Sequence, residues 1–450
     1  VLGTPAPKVL AWNSRADSSP VGAEYIITER VPGVPFAETP SLMDIKEQFH
    51  LVQSVADLQQ KWMSAKFKDF GSLYFRKDLG PDYKVLSYTD ENGVEVIDER
   101  FSVGPTVERR SYEAGRGDIN FDRGPCKFVG FYFVNKLTNI IPGNSIEDYF
   151  RALGLREATC IKAVNKLPNY ALTLPGLFVP TKQRKLDAVE VYLRLIKYAL
   201  PTDPTITTAT LWHQDLHSHN IIVDPNDRSK ITGILDWENT VIAPLFWTIQ
   251  NPWAFLDYKG PEVKEPRGPE FPETAGMSEA EKASAIRLWQ DAKSIAYHRA
   301  YIRKYNATLH RALEFEDTTS YNLLIPGQVL FQEGEATMLA IVAADEDFKS
   351  EWPKLPGVQA QGNPPIPFNF TEKEVEAISK DYEDADEGIN FMEQLRQCMG
   401  DLWPEKGIVR HDEYVDVKNA LRDAKKKALE EFVRTEEGRK VLEEWWPFDD

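Results

Sequence analysis

The segment Leu211 to Glu238, LWHQDLHSHNIIVDPNDRSKITGILDWE, sets an Asp between two His, an Asn five positions after that Asp, and a second Asp beyond a turn. Ile221, Ile222 and Val223 form a short β-branched run, and Asp224-Pro-Asn-Asp227 is a turn by composition. Lys230 to Leu235 is a second apolar run, so the segment reads as a hairpin. A hairpin sets the residue before its first strand beside the residue after its second. Asn220 and Asp236 are therefore expected side by side, with Asp215 in the loop just upstream. Three oxygen-bearing side chains at one hairpin end suit a hard cation such as Mg²⁺. Phosphoryl transfer asks for that set: a carboxylate to orient the attacking hydroxyl, and an Asn and an Asp to hold the metal on the phosphates.

The spacing from His213 through Asp215 to Asn220 matches the kinase catalytic-loop pattern. His213-Gln-Asp215-Leu-His217-Ser-His-Asn220, followed by Ile234-Leu235-Asp236-Trp237-Glu238, resembles the aminoglycoside phosphotransferase (choline-kinase-like) family. GAEYIITERVPG at 22–33, RFSVGPTVERRSYEAGRGDINFDRGP at 100–125 and WWPF at 445–448 resemble a fungal branch of it that has a mitochondrial member. The likeness runs over most of the chain. It implies an α+β, protein-kinase-like two-lobe fold with a partial small β lobe and a large helical lobe. Residues 1–36 would be the remnant of the β lobe and its hinge. Residues 37–450 would be the mostly helical lobe carrying the catalytic loop and metal site.

The same resemblance assigns roles. Asp215 would accept or orient the hydroxyl proton, His213 would brace the loop, and His217 would position the loop or approach the acceptor. Asn220 and Asp236 would hold Mg²⁺. Glu29, Arg30 and Val31 would form the hinge whose backbone meets the adenine of ATP, and Ile222 and Leu235 would line the nucleotide pocket. Glu238 is a candidate outer acid. The implied cofactors are ATP and Mg²⁺, and the implied partner is a small molecule with a hydroxyl acceptor. The chain departs from the pattern at its start. In kinase-like proteins a Gly loop, a strand Lys and a helix Glu precede the strand that begins here. No Gly-x-Gly-x-x-Gly occurs, and Lys8 falls on the wrong strand. The expectation is a chain without most of its small lobe: a fragment, a shortened gene model, or a protein that has lost catalysis.

Two other classes compete. Without the Gly loop and Lys, transition-state stabilisation would fall by orders of magnitude, which suits a noncatalytic, pseudokinase-type binding protein. The alternation of His213, Asp215, His217 and His219 on a strand would put all four on one face, which suits a metal-dependent hydrolase. That reading leaves Asn220 and Asp236 without a role.

Composition narrows the classes. The 450 residues are enough for two lobes, and 42% hydrophobic with 27% charged residues is ordinary for a globular protein. A formal charge of −17 opposes nonspecific nucleic-acid binding, which needs a cationic face. Cys126, Cys160 and Cys398 are few, scattered and odd in number, which suggests a reducing compartment without disulfides. No uncharged apolar run reaches membrane-spanning length, since Asn135 and Lys136 break the stretch from Phe128 to Ile141. The expected location is the mitochondrion or cytoplasm, with no membrane partner. Oligomeric state is not legible.

The positioning elements follow from periodicity. Lys8–Trp12 and Ala23–Glu29 read as strands. Residues 41–66 read as a helix, with Ile45, Phe49, Val52, Val55, Leu58 and Trp62 as its buried stripe. Residues 73–75, 85–88 and 94–96 read as strands, with a turn at Asp90–Gly93. Residues 145–166 and Ala188–Leu200 read as helices, the second leading into the catalytic segment. Asn239–Trp247 reads as an apolar wall, and 259–275 as a loop. Ser278–Leu313 reads as one helix capped by Ser278 and Glu281. Residues 353–369 read as loop, and Thr371–Met399 and His411–Trp446 as helices. Arg109 and Arg110 read as surface charges or partners of nearby acids, and the Arg116-Gly-Asp118 tripeptide as chance.

Overall fold

The two apolar runs flanking the Asp224–Asp227 turn pair as antiparallel strands, with Ile221 opposite Ile234 and Ile222 opposite Gly233. Around this hairpin the computed structural model describes residues 2–39, 43–124, 145–168, 178–264, 267–403, 409, 411–433, 435–446 and 448. Cys126, the 128–141 stretch and Pro447 lie outside the described residues. The chain is an α+β protein with antiparallel sheets. It divides into two compact units. The first comprises Val1–Arg109, Arg123–Asn144 and Asp203–Asp317; the second comprises Arg110–Asp122, Ser145–Thr202 and Thr318–Asp450.

The named strands all fall in the first unit. They are β1 (Val9–Asn13), β2 (Tyr25–Thr28), β3 (Val34–Pro35), β4 (Lys66–Phe67), β5 (Ser72–Phe75), β6 (Leu86–Thr89), β7 (Glu95–Asp98), β8 (Phe101–Gly104), β9 (Ala209–Trp212), β10 (Ile221–Val223), β11 (Ile231–Ile234) and β12 (Val241–Pro244). The hairpin β10–β11 gains β3 as a third strand, with Ile222 opposite Pro35. A five-stranded sheet runs β12-β9-β4-β6-β7, while β1–β2 and β5–β8 are pairs. The expected turn closes β6–β7: Gly93 takes φ 77°, and Asp90 N–H donates to Val94 O at 2.9 Å. Five strands escaped periodicity: β3, β4, β8, β9 and β12. Charge masked β8, and β12 read only as an apolar wall because all four of its residues are buried.

The helix Ile45–Ser64 starts at a capping box made by Asp44 and Glu47. Its predicted stripe is buried at Val52, Val55, Leu58 and Trp62. It packs on the helix Glu279–Tyr305: Phe49 stacks on Tyr297 at 4.4 Å, and Ser294 Oγ donates to Gln48 Oε1 at 3.1 Å. The predicted Ser278/Glu281 cap is present. The single helix expected from Ser278 to Leu313 is two, because Asn306 leaves helical geometry at φ −140° and ψ 71°. Its side chain then caps Ala307–Glu316 by accepting from Leu309 N–H.

In the second unit, helices Ile146–Ala163 and Lys182–Ala199 pack at Gly154, where a Cβ would stand 2.7 Å from the Tyr192 ring. The latter starts at Lys182, six residues before the expected start at Ala188, capped by Thr181. The span 411–446 also divides, into Tyr414–Phe432 and Glu436–Trp445. Residues 353–369 contain the short helix Pro356–Ala360. Arg116 is not an adhesion signal: it is 1% exposed and paired to Glu157 at 2.9 Å.

Candidate functional site

The loop His213–Asn220 leaves β9 and enters β10. Only its end, Ser218–Asn220, is helical, as one 3₁₀ turn. It is not a strand, so the alternating residues do not share a face. His217 and His219 lie with ring centroids 5.6 Å apart. Among the described residues no group of three His, Cys, Asp or Glu could hold a metal ion. The arrangement expected for a hydrolase is therefore not formed.

His213 is buried and both ring nitrogens are engaged. Nδ1 accepts from Asp215 N–H at 3.2 Å, so Nε2 carries the proton and donates to Leu235 O at 2.7 Å. Burial depresses the His213 pKa, against the opposing pull of the Leu235 carbonyl, Asp215 and Asp236. The ring is held in one neutral tautomer. Its edge packs on Trp237 at 4.7 Å, and Trp62 joins Trp237 and Trp212 in T-shaped contacts at 5.6 and 5.4 Å. These indoles pack between the loop and the hairpin end; spacing marked Trp62 as buried, but no spacing signal pairs it with Trp212 and Trp237.

Asn220 is oriented by its surroundings. Its Nδ2 donates to Asp215 O at 2.9 Å. A carbonyl can only accept, so the amide nitrogen must face the loop. That leaves Oδ1 without a protein donor among the described residues. The Asn220 carbonyl accepts from Leu235 N–H at 2.8 Å, which fixes the register between loop and hairpin end. Asp236 follows directly with φ 60°, a left-handed conformation uncommon for a residue with a side chain. It is exposed, and among the described residues no hydrogen-bond donor faces its carboxylate. Asp215 is half exposed; His217 Nε2 stands 3.8 Å from its Oδ2. His217 is tied to the loop, with Nδ1 accepting from His219 N–H and Nε2 3.2 Å from Asn220 Nδ2. The chemistry of this donor set, two carboxyl groups and one amide oxygen, fits Mg²⁺. Glu238 is exposed.

The hinge segment meets the hairpin at Val31. Glu29 N–H donates to Lys8 O, and its carboxylate accepts from Lys8 N–H at 3.1 Å. Glu29 and Arg30 are exposed and Val31 is half-buried. A Cβ at Gly233 would stand 2.5 Å from Val31 Cγ1, and one at Gly33 would stand 2.7 Å from Ile222 Cγ2. Two glycines thus let the 31–33 segment lie on β10–β11. Val31 and the hairpin carrying Ile222 and Leu235 meet, while Glu29 closes the β1–β2 pair. A further bond had no sequence signal: Ser218 Oγ donates to Asp257, whose φ of 51° aims it back at the loop.

Residues 162–247, which contain the loop and the Asp236 strand end, match the phosphotransferase enzyme family. The chain is 24% identical over 413 residues to a subtelomeric hrmA-associated cluster protein of Aspergillus fumigatus, over 88% of this chain and 77% of that protein. It is 27% identical over 278 residues to altered inheritance of mitochondria protein 9, mitochondrial, of Lachancea thermotolerans, over 58% of this chain and 42% of that protein. The protein of the same name from Saccharomyces cerevisiae is 25% identical over 301 residues, over 63% of this chain and 45% of that protein. The match therefore spans less than half the length of these two relatives. No solved structure matches the chain. The resemblance to the family and to its fungal branch holds. Among the described residues no helix is long and apolar enough to cross a membrane.

Proposed function

We propose that the chain carries the catalytic loop and metal-binding end of an ATP- and Mg²⁺-dependent phosphotransferase that acts on a hydroxyl of a small molecule. The observation that supports it most is the orientation of Asn220. Its amide nitrogen is spent on the Asp215 carbonyl, which leaves its oxygen open, and the bond from Leu235 N–H to the Asn220 carbonyl sets the residue next to the strand end that Asp236 follows. ATP would supply the phosphoryl group, and Mg²⁺ would offset the charge that develops on it. Asn220 Oδ1 and Asp236 would hold the metal. Asp215 would orient the acceptor hydroxyl and take its proton, because its half-exposed carboxylate has no strong donor to satisfy it. His213, held neutral, would keep Asp215 and Asp236 in register. Val31, Ile222 and Leu235 would form the apolar seat of the base, with Glu29 and Arg30 at its edge.

The fold that goes with this reading is the kinase-like two-lobe one, with 1–36 belonging to the β lobe and its hinge. The compartment is the mitochondrion, as the names of two relatives state for those proteins. The proposed partner is a small-molecule acceptor, and a formal charge of −17 opposes nonspecific nucleic-acid binding.

The test is thermal unfolding with Mg²⁺ and ATP against Mg²⁺ alone. A ligand at a hundred times its Kd stabilises by about 2.7 kcal/mol, a readily measured shift. The reading expects a shift in the wild type that Asp236→Ala abolishes, and a phosphotransferase rate that Asp215→Asn lowers at least a hundredfold. A shift without any rate would favour the noncatalytic binding reading. No shift in a folded sample would sink both.

A further inference from the structure

A segment outside the hairpin grips the loop His213–Asn220 from a second side. Residues 250–257 follow β12 and reach the loop at two points. Gln250 Nε2 donates to the carbonyl of Gln214, directly before Asp215. Ser218 Oγ, three residues after Asp215, donates to Asp257 Oδ2. The two bonds bracket Asp215. Ser218 is 2% exposed and opens the 3₁₀ turn that ends at Asn220. A buried hydroxyl needs an acceptor for its proton, and Asp257 supplies it. From there the connection is short: the turn carries Asn220, whose amide nitrogen holds the Asp215 carbonyl.

The segment is itself anchored. Its short helix Trp253–Leu256 buries Phe255 and Leu256, and the Phe255 ring meets His298 of the helix Glu279–Tyr305 edge-on at 5.9 Å. Asp257 comes directly after that short helix, in left-handed backbone. A residue in that conformation after a helix is usually Gly and sometimes Asn, because a Cβ crowds the backbone there. Gly would end the helix without strain but would give Ser218 no acceptor. A like charge opposes Asp as well. Burial raises the pKa of Asp291, Arg287 pulls it back with its Nε on both carboxylate oxygens at 3.0 and 2.8 Å, and Asp257 adds to the rise. Backbone strain and a neighbouring carboxylate thus both work against an Asp at this position, and an outlier of this kind points to function.

We propose that Asp257 is a positioning residue of the catalytic loop: through Ser218 it fixes the turn that sets Asn220 and, with Gln250 on the other side, the peptide of Asp215. The role belongs to its oxygen as an acceptor and not to its charge, so the amide oxygen of an Asn can perform it. The inference deepens the phosphotransferase reading and rests on it.

Two readouts on the whole chain test it: hydrogen–deuterium exchange of the 213–220 amides, which needs no activity, and Mg·ATP affinity from thermal unfolding. Asp257→Gly suits φ 51° and removes the acceptor, while Ser218→Ala removes the donor. Each should speed exchange across 213–220 at least tenfold and weaken Mg·ATP at least threefold, with exchange in the helix Ile45–Ser64 at the wild-type rate. The double variant should be no worse than either single one, because both remove the same bond. Asp257→Asn keeps an acceptor oxygen and tolerates the left-handed backbone, so it should match the wild type in both readouts. With the Mg·ATP shift of the wild type intact, the proposal is overturned if Asp257→Gly and Ser218→Ala leave exchange unchanged. It is overturned too if the double variant falls to the product of the two singles, or if Asp257→Asn behaves as Asp257→Gly does. A wild type without any Mg·ATP shift sinks the phosphotransferase reading itself, and the positioning role with it.

Discussion

His213 Nε2–H reaches the carbonyl of Leu235 across 2.7 Å, joining residues 22 apart in sequence. This bond ties the loop that carries Asp215 to the strand end that carries Asp236. His213→Phe keeps much of the ring's volume and its packing on Trp237 but strands the Leu235 carbonyl and the Asp215 N–H. The expected cost is about 1–3 kcal/mol in urea unfolding, with loss of the Mg·ATP thermal shift. Wild-type stability together with a wild-type shift would show that the bond does not set the site.

Asp236 combines an exposed carboxylate with φ 60°. Gly and Asn tolerate that backbone, whereas most residues do not. Asp236→Asn and Asp236→Gly should therefore leave the unfolding free energy within about 0.5 kcal/mol of the wild type or raise it. Both should abolish the Mg·ATP shift. A shift retained in Asp236→Asn would remove the carboxylate from the metal site.

Gly233 lets Val31 lie on the hairpin. Gly233→Ala should destabilise by about 1–3 kcal/mol through the clash with Val31 Cγ1. Val31→Ala should relieve most of that penalty in the double variant, giving a coupling of about 0.5–3 kcal/mol. Additive effects in the four-variant cycle would mean that the hinge segment does not sit on the hairpin in solution.

His298 is fully buried, with neither ring nitrogen hydrogen-bonded among the described residues, and burial takes its pKa from 6.5 down to about 3. His213 shifts the same way. The unfolded chain then binds protons that the folded chain does not, so stability is complete above pH 6.5 and falls as pH drops from 6.5 towards 3. The slope from His298 alone approaches about 1.4 kcal/mol per pH unit at most. His298→Leu should flatten the acid limb of stability against pH. An unchanged limb would mean that the ring gains a proton without unfolding.

Much of this was legible from local signals. The hairpin β10–β11 follows from β-branched runs around a turn, the first long helix from steps of three and four, and the cap at Ser278 from Glu281 three residues on. The break at Asn306 was not legible, because apolar spacing continues through it and only the cap geometry ends the helix. The strand β12 was hidden by burial on both faces, which erases alternation.

For the candidate site, the sequence determined the donor types and their order: Asp215, Asn220 and Asp236 at one end of a hairpin. That much needs only strand pairing, which is local. The tertiary structure alone decided how those donors point. The Asp215 carbonyl turns the Asn220 amide, the Leu235 carbonyl fixes the His213 tautomer, and left-handed backbone presents Asp236. It also decided the seat of Val31 on Gly233 and the bond of Ser218 to Asp257. The His213–Leu235 bond, the Val31–Gly233 seat and the Ser218–Asp257 bond depend on contacts between residues distant in sequence. Residue spacing encodes a period and a turn, but carries no record of which distant group will stand opposite a given atom.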